Sequence, residues 1–217
     1  MEFQKLEFKN RPEEEMLQRS KHFLEMIKSR RTVRDFSEKN IPAGVIENAV
    51  RAAASAPSGA NKEPWHFVIV KDPALKKKIR VAAEKEEKEF YEHRASKEWL
   101  HALEPFATDQ NKPFLEIAPW LIAIFVQKFS FLNNEKKNHY YANESTGIAT
   151  GMLITALHHS GLVSLVHTPS PMKFLNEILK RPLNESPFLL LAVGYPKDNV
   201  EVPNISRKAF NDIAEIV

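Results

Sequence analysis

Apolar positions along this chain recur with two periods. From Pro12 the spacing is helical: Met16, Phe23, Leu24 and Ile27 mark one face, and Glu13, Glu14 and Glu15 sit at the positive end of the helix dipole. A second helix opens at Pro42 with Ile46, Ala49, Val50 and Ala53, and it should stop before Pro57, because the residue preceding a proline is pushed out of the α region. Trp65–Lys71 then reads as a buried strand, rich in β-branched and aromatic residues. Asp72-Pro73 is a cap followed by a first-turn proline, launching a long charged helix towards Leu103. Leu121–Lys128 is a second strand. Asn143–Ser160 is a helix whose apolar arc (Ile148, Ala149, Met152, Leu153, Ala156, Leu157) is too wide for one wet face. That helix is expected to be buried or to lie in a subunit interface, with Gly147 and Gly151 allowing close approach. Strands Leu162–Val166 and Phe188–Tyr195 flank a proline-initiated helix, Pro171–Lys180. The tail after Pro203 has little periodicity and is expected to wrap a partner subunit. Strands and helices alternate without βαβ phasing, which predicts one α+β domain, a mixed central sheet covered by helices.

Composition narrows the chemistry. The 217 residues include no cysteine and six glycines, well under the usual ~7%. Thiol nucleophiles, disulfides and Cys-ligated metals are excluded. Neither a dinucleotide fingerprint nor a P-loop is spelled, so any bound phosphate must be held largely by side chains. The net charge of +3 is spread through interleaved acids and bases, unlike the basic face of a nucleic-acid binder. No apolar run approaches the ~18 residues of a membrane span, and the N-terminus has no apolar signal core. The expectation is a soluble, cytoplasmic protein with no nucleic-acid or membrane partner.

Several segments could carry chemistry. Arg30 and Arg34 stand four apart in Ser29-Arg30-Arg31-Thr32-Val33-Arg34, so one further helical turn would set both guanidiniums on one side. They are either a phosphate grip or a basic helix C-terminus favoured by the dipole. Ala56-Pro57-Ser58-Gly59-Ala60-Asn61 is a turn of small residues whose backbone N–H groups a ligand could reach, or an ordinary loop. No G-x-S-x-G surrounds Ser58. In the charged stretch after Glu84, Glu87 and Tyr91 at i and i+4 face the same way and could grip an ammonium group, or be a solvated helix face. The histidines show no metal-ligand spacing, and no metal is expected. Thr168 follows a strand and could donate its hydroxyl to a ring nitrogen, or simply belong to a turn. Arg207-Lys208 in the tail could meet a phosphate or water.

Together these segments resemble the FMN-dependent nitroreductase superfamily. The arginine motif S-R-R-T-V-R, A-P-S-G-A-N-K-E-P-W-H-F-V-I-V and G-L-V-S-L-V-H-T-P carry that resemblance. Within the superfamily the chain is similar to the iodotyrosine deiodinase family, through K-I-R-x-x-x-E-K-E-E-K-E-F-Y, Asn111-Lys112 and H-Y-Y-A-N-E. The similarity runs from about Leu24 to Ile213. It implies an intertwined homodimer with FMN at the interface, residues 84–115 as a substrate lid, residues 1–11 as an N-terminal extension and residues 196–217 as an arm reaching the partner. Arg30, Arg31, Thr32, Arg34 and Arg207 would contact FMN, with Pro57 and Ser58 lining the flavin and Thr168 approaching its N5 as the catalytic residue. Ala60 would offer its N–H to the substrate phenolate, and Glu87, Tyr91 and Lys112 would hold the amino-acid end. The implied reaction is reductive dehalogenation of mono- and diiodotyrosine to tyrosine and iodide by stepwise electron transfer. An external donor, NAD(P)H or a separate reductase, would reduce the flavin. The alternative is a general NAD(P)H-dependent nitroreductase or other flavin reductase. Two departures accompany the resemblance. The membrane anchor of animal members is not seen, and Val166-His167 stands where relatives have a run of threonines.

Overall fold

The computed structural model describes residues 2–217, so Met1 of the expected 1–11 extension lies outside it. The chain divides into two compact units, Met1–Arg30 and Arg31–Val217. In the first, helix α1 (Glu13–Lys28) starts at Pro12 as the sequence predicts, with its three glutamates in the first turn. Glu15 accepts hydrogen bonds from Arg11 and Arg19 on either side. The apolar face is exposed rather than buried: Met16, Leu17, Phe23 and Leu24 all lie open.

The second unit begins extended. Helix α1 ends at Lys28, and Arg31–Arg34 do not continue it. The further helical turn that would have set Arg30 and Arg34 on one side does not form: Thr32 bridges Ser164 in parallel and Val33 N–H donates to the Ser164 carbonyl. Tertiary pairing with a strand has overridden a helical continuation through β-branched Thr32 and Val33.

Helix α2 (Ala43–Ala54) and strand β1 (Trp65–Val70) follow close to their predicted limits. Helix α3 (Pro73–Glu89) is capped by the Asp72 side chain, which accepts from Leu75 N–H at 2.7 Å. The long helix expected to reach Leu103 is broken. Phe90–Arg94 forms a π-turn, Ala95 is extended, and Ser96 caps a new helix α4 (Lys97–Leu103) by accepting from Trp99 N–H. Serine competes for backbone groups in this way, favouring a cap over a helix interior.

Helix α5 (Phe114–Ile117) leads into strand β2 (Trp120–Gln127), then a hairpin of β3 (Phe129–Leu132) and β4 (Glu135–Asn138), which the polar pattern did not predict. Helix α6 (Ala142–His159), strand β5 (Val163–His167), the short helix α7 (Phe174–Ile178) and strand β6 (Glu185–Gly194) complete the unit. The main sheet has the order β1-β2-β6-β5. All its named pairs are antiparallel, and the mixed character expected of it is confined to the isolated Thr32–Ser164 bridge.

β2 explains the core. It is buried almost end to end, and its alternation feeds two clusters. Leu121, Ala123 and Phe125 pack with Ile79, Leu115 and Leu175 from α3, α5 and α7, whereas Ile122 and Ile124 pack with Ile46, Leu153 and Leu157 from α2 and α6. Each such side chain contributes ~1.5–3 kcal/mol on burial, so the sheet is clamped from both faces. At Gly194 a Cβ would stand 2.8 Å from Pro119 and 2.9 Å from Phe36, so only glycine lets these segments close. The glycines of α6 behave differently. Gly151 faces open space, and the nearest atom to a Cβ at Gly147 is Phe188 Cζ at 3.8 Å. No helix among the described residues is long and apolar enough to cross a membrane.

Candidate active site

Breaking the long helix builds a cavity. The end of α3, the π-turn, α4 and the segment before α5 fold over the end of β5, enclosing about 230 Å³. Its wall includes Glu87, Tyr91, Lys112 and Thr168 from the sequence reading, and Phe90, Trp99, Thr108 and His167, which that reading did not nominate.

Lys112 organises the pocket. It lies 25 residues beyond Glu87, yet its Nζ donates to Glu87 Oε2 at 3.1 Å and to Thr108 Oγ1 at 3.2 Å, and it also donates to the Asp109 carbonyl. Its backbone N–H is fixed to Glu84 Oε1 at 2.7 Å, and Arg80 Nε donates to the same oxygen. Both members of the Lys112–Glu87 pair are largely buried. The ammonium also stands 5.5 Å from the centroid of the Tyr91 ring. The Tyr91 hydroxyl donates to the Thr108 carbonyl at 3.0 Å. Burial pushes that phenol up, against the opposing effect of the Thr108 hydrogen bond. The pocket therefore holds one buried cation and one buried carboxylate facing each other, roofed by Phe90 and Trp99, whose rings meet edge-on at 4.9 Å.

His167 was legible only in part. The sequence ended the strand at Val166, but β5 runs one residue further, and its alternation places His167 on the buried side with Leu165. The imidazole meets the Phe114 ring edge-on at 5.6 Å. Burial, then the Lys112 charge, pushes it down to about 3, so it is neutral at physiological pH. Its Nε2 is buried without a hydrogen-bond partner.

The other nominated residues fall in separate places. Thr32 and Arg34 line a second cavity of about 360 Å³ with Pro105, Phe106 and Pro203. Arg31 donates to the Pro203 carbonyl, and Arg207 is exposed in the tail. Arg30 belongs to the first unit. Pro57, Ser58 and Ala60 form a tight loop against the start of α6. Ser58 Oγ accepts from Glu63 N–H at 2.9 Å, and Gly59 N–H donates to Ser145 Oγ at 3.4 Å. A Cβ at Gly59 would press to 2.9 Å on the Tyr140 carbonyl. Ala60, Asn61 and Glu63 all have left-handed φ. Such conformations cost ~1–3 kcal/mol each and cluster at functional sites. Ala60 is exposed there.

The nitroreductase family pattern matches residues 27–195. An iodotyrosine deiodinase of Haliscomenobacter hydrossis is 55% identical over 196 residues, covering 90% of this chain and 88% of that one. The chain belongs to the iodotyrosine deiodinase family. Iodotyrosine deiodinase 1 of Homo sapiens is 44% identical over 206 residues, 93% of this chain and 71% of its own. A solved structure described as oxidized iodotyrosine deiodinase bound to FMN and 3-iodo-L-tyrosine superposes with a TM-score of 0.74 at 32% identity, covering 86% of this chain and 96% of that one.

The donor set of this fold suits FMN. Arg31 and Arg34 on an extended segment offer planar forks that match phosphate oxygens better than a lysine does. Thr168 presents an exposed hydroxyl at the end of β5, and the Pro57–Ala60 loop offers a small, strained surface.

Proposed function

We propose that this protein removes iodide from mono- and diiodotyrosine, giving tyrosine, with FMN as its cofactor. The observation that carries this reading is the buried Glu87–Lys112 pair beneath Tyr91. A free amino acid presents one cation and one anion. Inserted into this pair, it replaces one internal contact by two, ammonium on Glu87 and carboxylate on Lys112, with the Tyr91 hydroxyl beside them. The exchange costs little, because the charges are already desolvated and their partners are merely substituted.

Ring selection follows from ionisation. An unmodified tyrosine phenol titrates near 10. An iodinated phenol titrates lower and reaches the site as phenolate, to which the backbone N–H of the exposed Ala60 would donate. Phe90 and Trp99 close over the ring and exclude water. FMN would be held by Arg30, Arg31, Thr32, Arg34 and Arg207, with Pro57 and Ser58 against its ring and the Thr168 hydroxyl at N5. When bound, it supplies the two electrons which, with a proton, convert the C–I bond to C–H and free iodide. The chain itself binds, orients and shields.

The same reading makes the protein a homodimer, in which residues 196–217 embrace the second copy and residues 1–11 extend from the first helix. The half-exposed Ile148 beside open Gly151 on α6, and exposed Phe210, Ile213 and Ile216 in the arm, support it. An external donor, NAD(P)H or a separate reductase, and a cytoplasmic location belong to the same reading.

The test is iodide release from 3-iodo-L-tyrosine by the FMN-loaded protein under dithionite. Release of iodide and tyrosine is expected. Glu87→Gln should remove it while sparing reduction of a small nitroaromatic that lacks the amino-acid group. Equal loss of both would instead favour a general nitroreductase.

A further inference from the structure

His167 lines the lid cavity, and its Nε2 is one of two buried side-chain polar atoms left without a partner among the described residues; the other, Trp120 Nε1, belongs to a residue outside that lining. Leaving such an atom unpaired costs ~1–3 kcal/mol, so its survival asks for a partner that arrives from elsewhere. Three observations say what that partner is. The residue lines the same cavity as Lys112 and is 7% exposed, so any partner comes through the ligand site. Phe114, two residues after Lys112, packs edge-on against the imidazole and fixes its plane. The ring is neutral and feels the Lys112 ammonium, so a cation is disfavoured at this spot and an anion is favoured.

We propose that His167 donates its Nε2 proton to the carboxylate of the bound amino acid, alongside Lys112, and so determines specificity for substrates that carry that carboxylate. This rests on the assignment of Glu87 and Lys112 to the amino-acid end of the ligand. Lys112 alone is a point charge that any anion satisfies. A second, directional donor on a rigid strand distinguishes a carboxylate at the correct depth from other anions.

Isothermal titration of FMN-loaded protein with 3-iodo-L-tyrosine and with 3-iodotyramine, which keeps the ammonium and lacks the carboxylate, tests this. His167→Leu should weaken iodotyrosine about tenfold, the effect of one hydrogen bond to a charged group, and leave iodotyramine unchanged. His167→Gln, which carries an amide N–H at similar reach, should recover most of that loss. Equal weakening of both ligands, or of neither, overturns the proposal. A purely structural histidine would give that result, with His167→Leu holding or raising the melting temperature. Should His167→Leu fail to fold, imidazole ¹⁵N NMR on the unmodified protein decides the matter. The Nε2 signal must move on adding iodotyrosine and stay put with iodotyramine. Lys112→Met separates the two claims. If it erases the preference for iodotyrosine while His167→Leu does not, only the histidine assignment fails. If neither changes the preference, the lid assignment fails with it.

Discussion

Two buried ion pairs in this molecule look alike on paper and differ in kind. Arg181 grips Glu185 with two hydrogen bonds, at 2.6 and 3.0 Å, while Gln127 donates to Glu185 at 3.1 Å and His66 stands 3.9 Å away. The backbone carbonyl of Glu185 is taken as well, by the Asn176 side chain. Every part of that residue has a partner, and its role is to tie α7 to the ends of β2 and β6. Lys112 and Glu87 are as deeply buried, but there only the ammonium is fully occupied, by Glu87, Thr108 and the Asp109 carbonyl, whereas the Glu87 carboxylate has Lys112 alone, inside a cavity lined also by His167 with its unpaired Nε2. A saturated pair holds a fold together. A carboxylate with a single partner beside an open volume is a place where a ligand can be exchanged in.

The sharpest way to break this contrast is to cut the saturated pair. Glu185→Ala should cost about 3–5 kcal/mol of stability, read as a fall in the denaturation midpoint, because it strands the Arg181 charge. The acid limb gives a companion measurement. Burial alone would raise the Glu185 carboxyl, but hydrogen bonds from Arg181 and Gln127, with the charges of His66 and Arg181, hold it below the ordinary 4.5. A carboxyl lowered on folding stabilises the protein above its unfolded value and loses that contribution as pH falls through its folded value. Thermal melts should therefore decline below about pH 4.5 more steeply in the native protein than in Glu185→Gln.

The next effect belongs to the pair in the cavity. Lys112→Met should weaken 3-iodo-L-tyrosine by about 10–100-fold by titration calorimetry, with little change for 2-iodophenol, since a hydrogen bond to a charged group is worth ~1.5–3 kcal/mol. If both ligands weaken alike, the pair is structural and the contrast collapses. A smaller change is expected at Arg34. Arg34→Ala should lower FMN affinity about tenfold while leaving riboflavin, which lacks the phosphate, unaffected. The smallest lies on α6. Gly151→Ala should raise stability by about 0.5–1 kcal/mol if its open face stays in water, since alanine is the better helix former. Loss of the dimer by light scattering would instead place that glycine in the interface.

Much of the scaffold was legible because it depends on near neighbours. Periods of two and 3.6 marked β2, α2 and α6, and the prolines before α1 and α2 and the Asp72 cap marked their starts. The failures came where distant residues intervened. No helical turn forms through the arginines, because Thr32 and Val33 pair with Ser164, and the helix expected to reach Leu103 gave way to a π-turn and the Ser96 cap. The β3–β4 hairpin went unseen because its second strand, Glu135–Asn138, is exposed throughout and has no apolar alternation to read.

The site divides along the same line. The sequence by itself determined which residue types were present and that Glu87 and Tyr91 share a helix face, since spacing of four is a local property. It carried the motifs that place the chain in its family. Only the tertiary structure decided that Lys112 closes on Glu87 and that β5 extends to bury His167 with a free nitrogen. It also decided that Arg31 reaches the carbonyl of Pro203 in the tail. Those outcomes depend on segments tens of residues apart, or more, meeting in one packed volume, where burial sets which charges stay paired and which polar atom is left waiting.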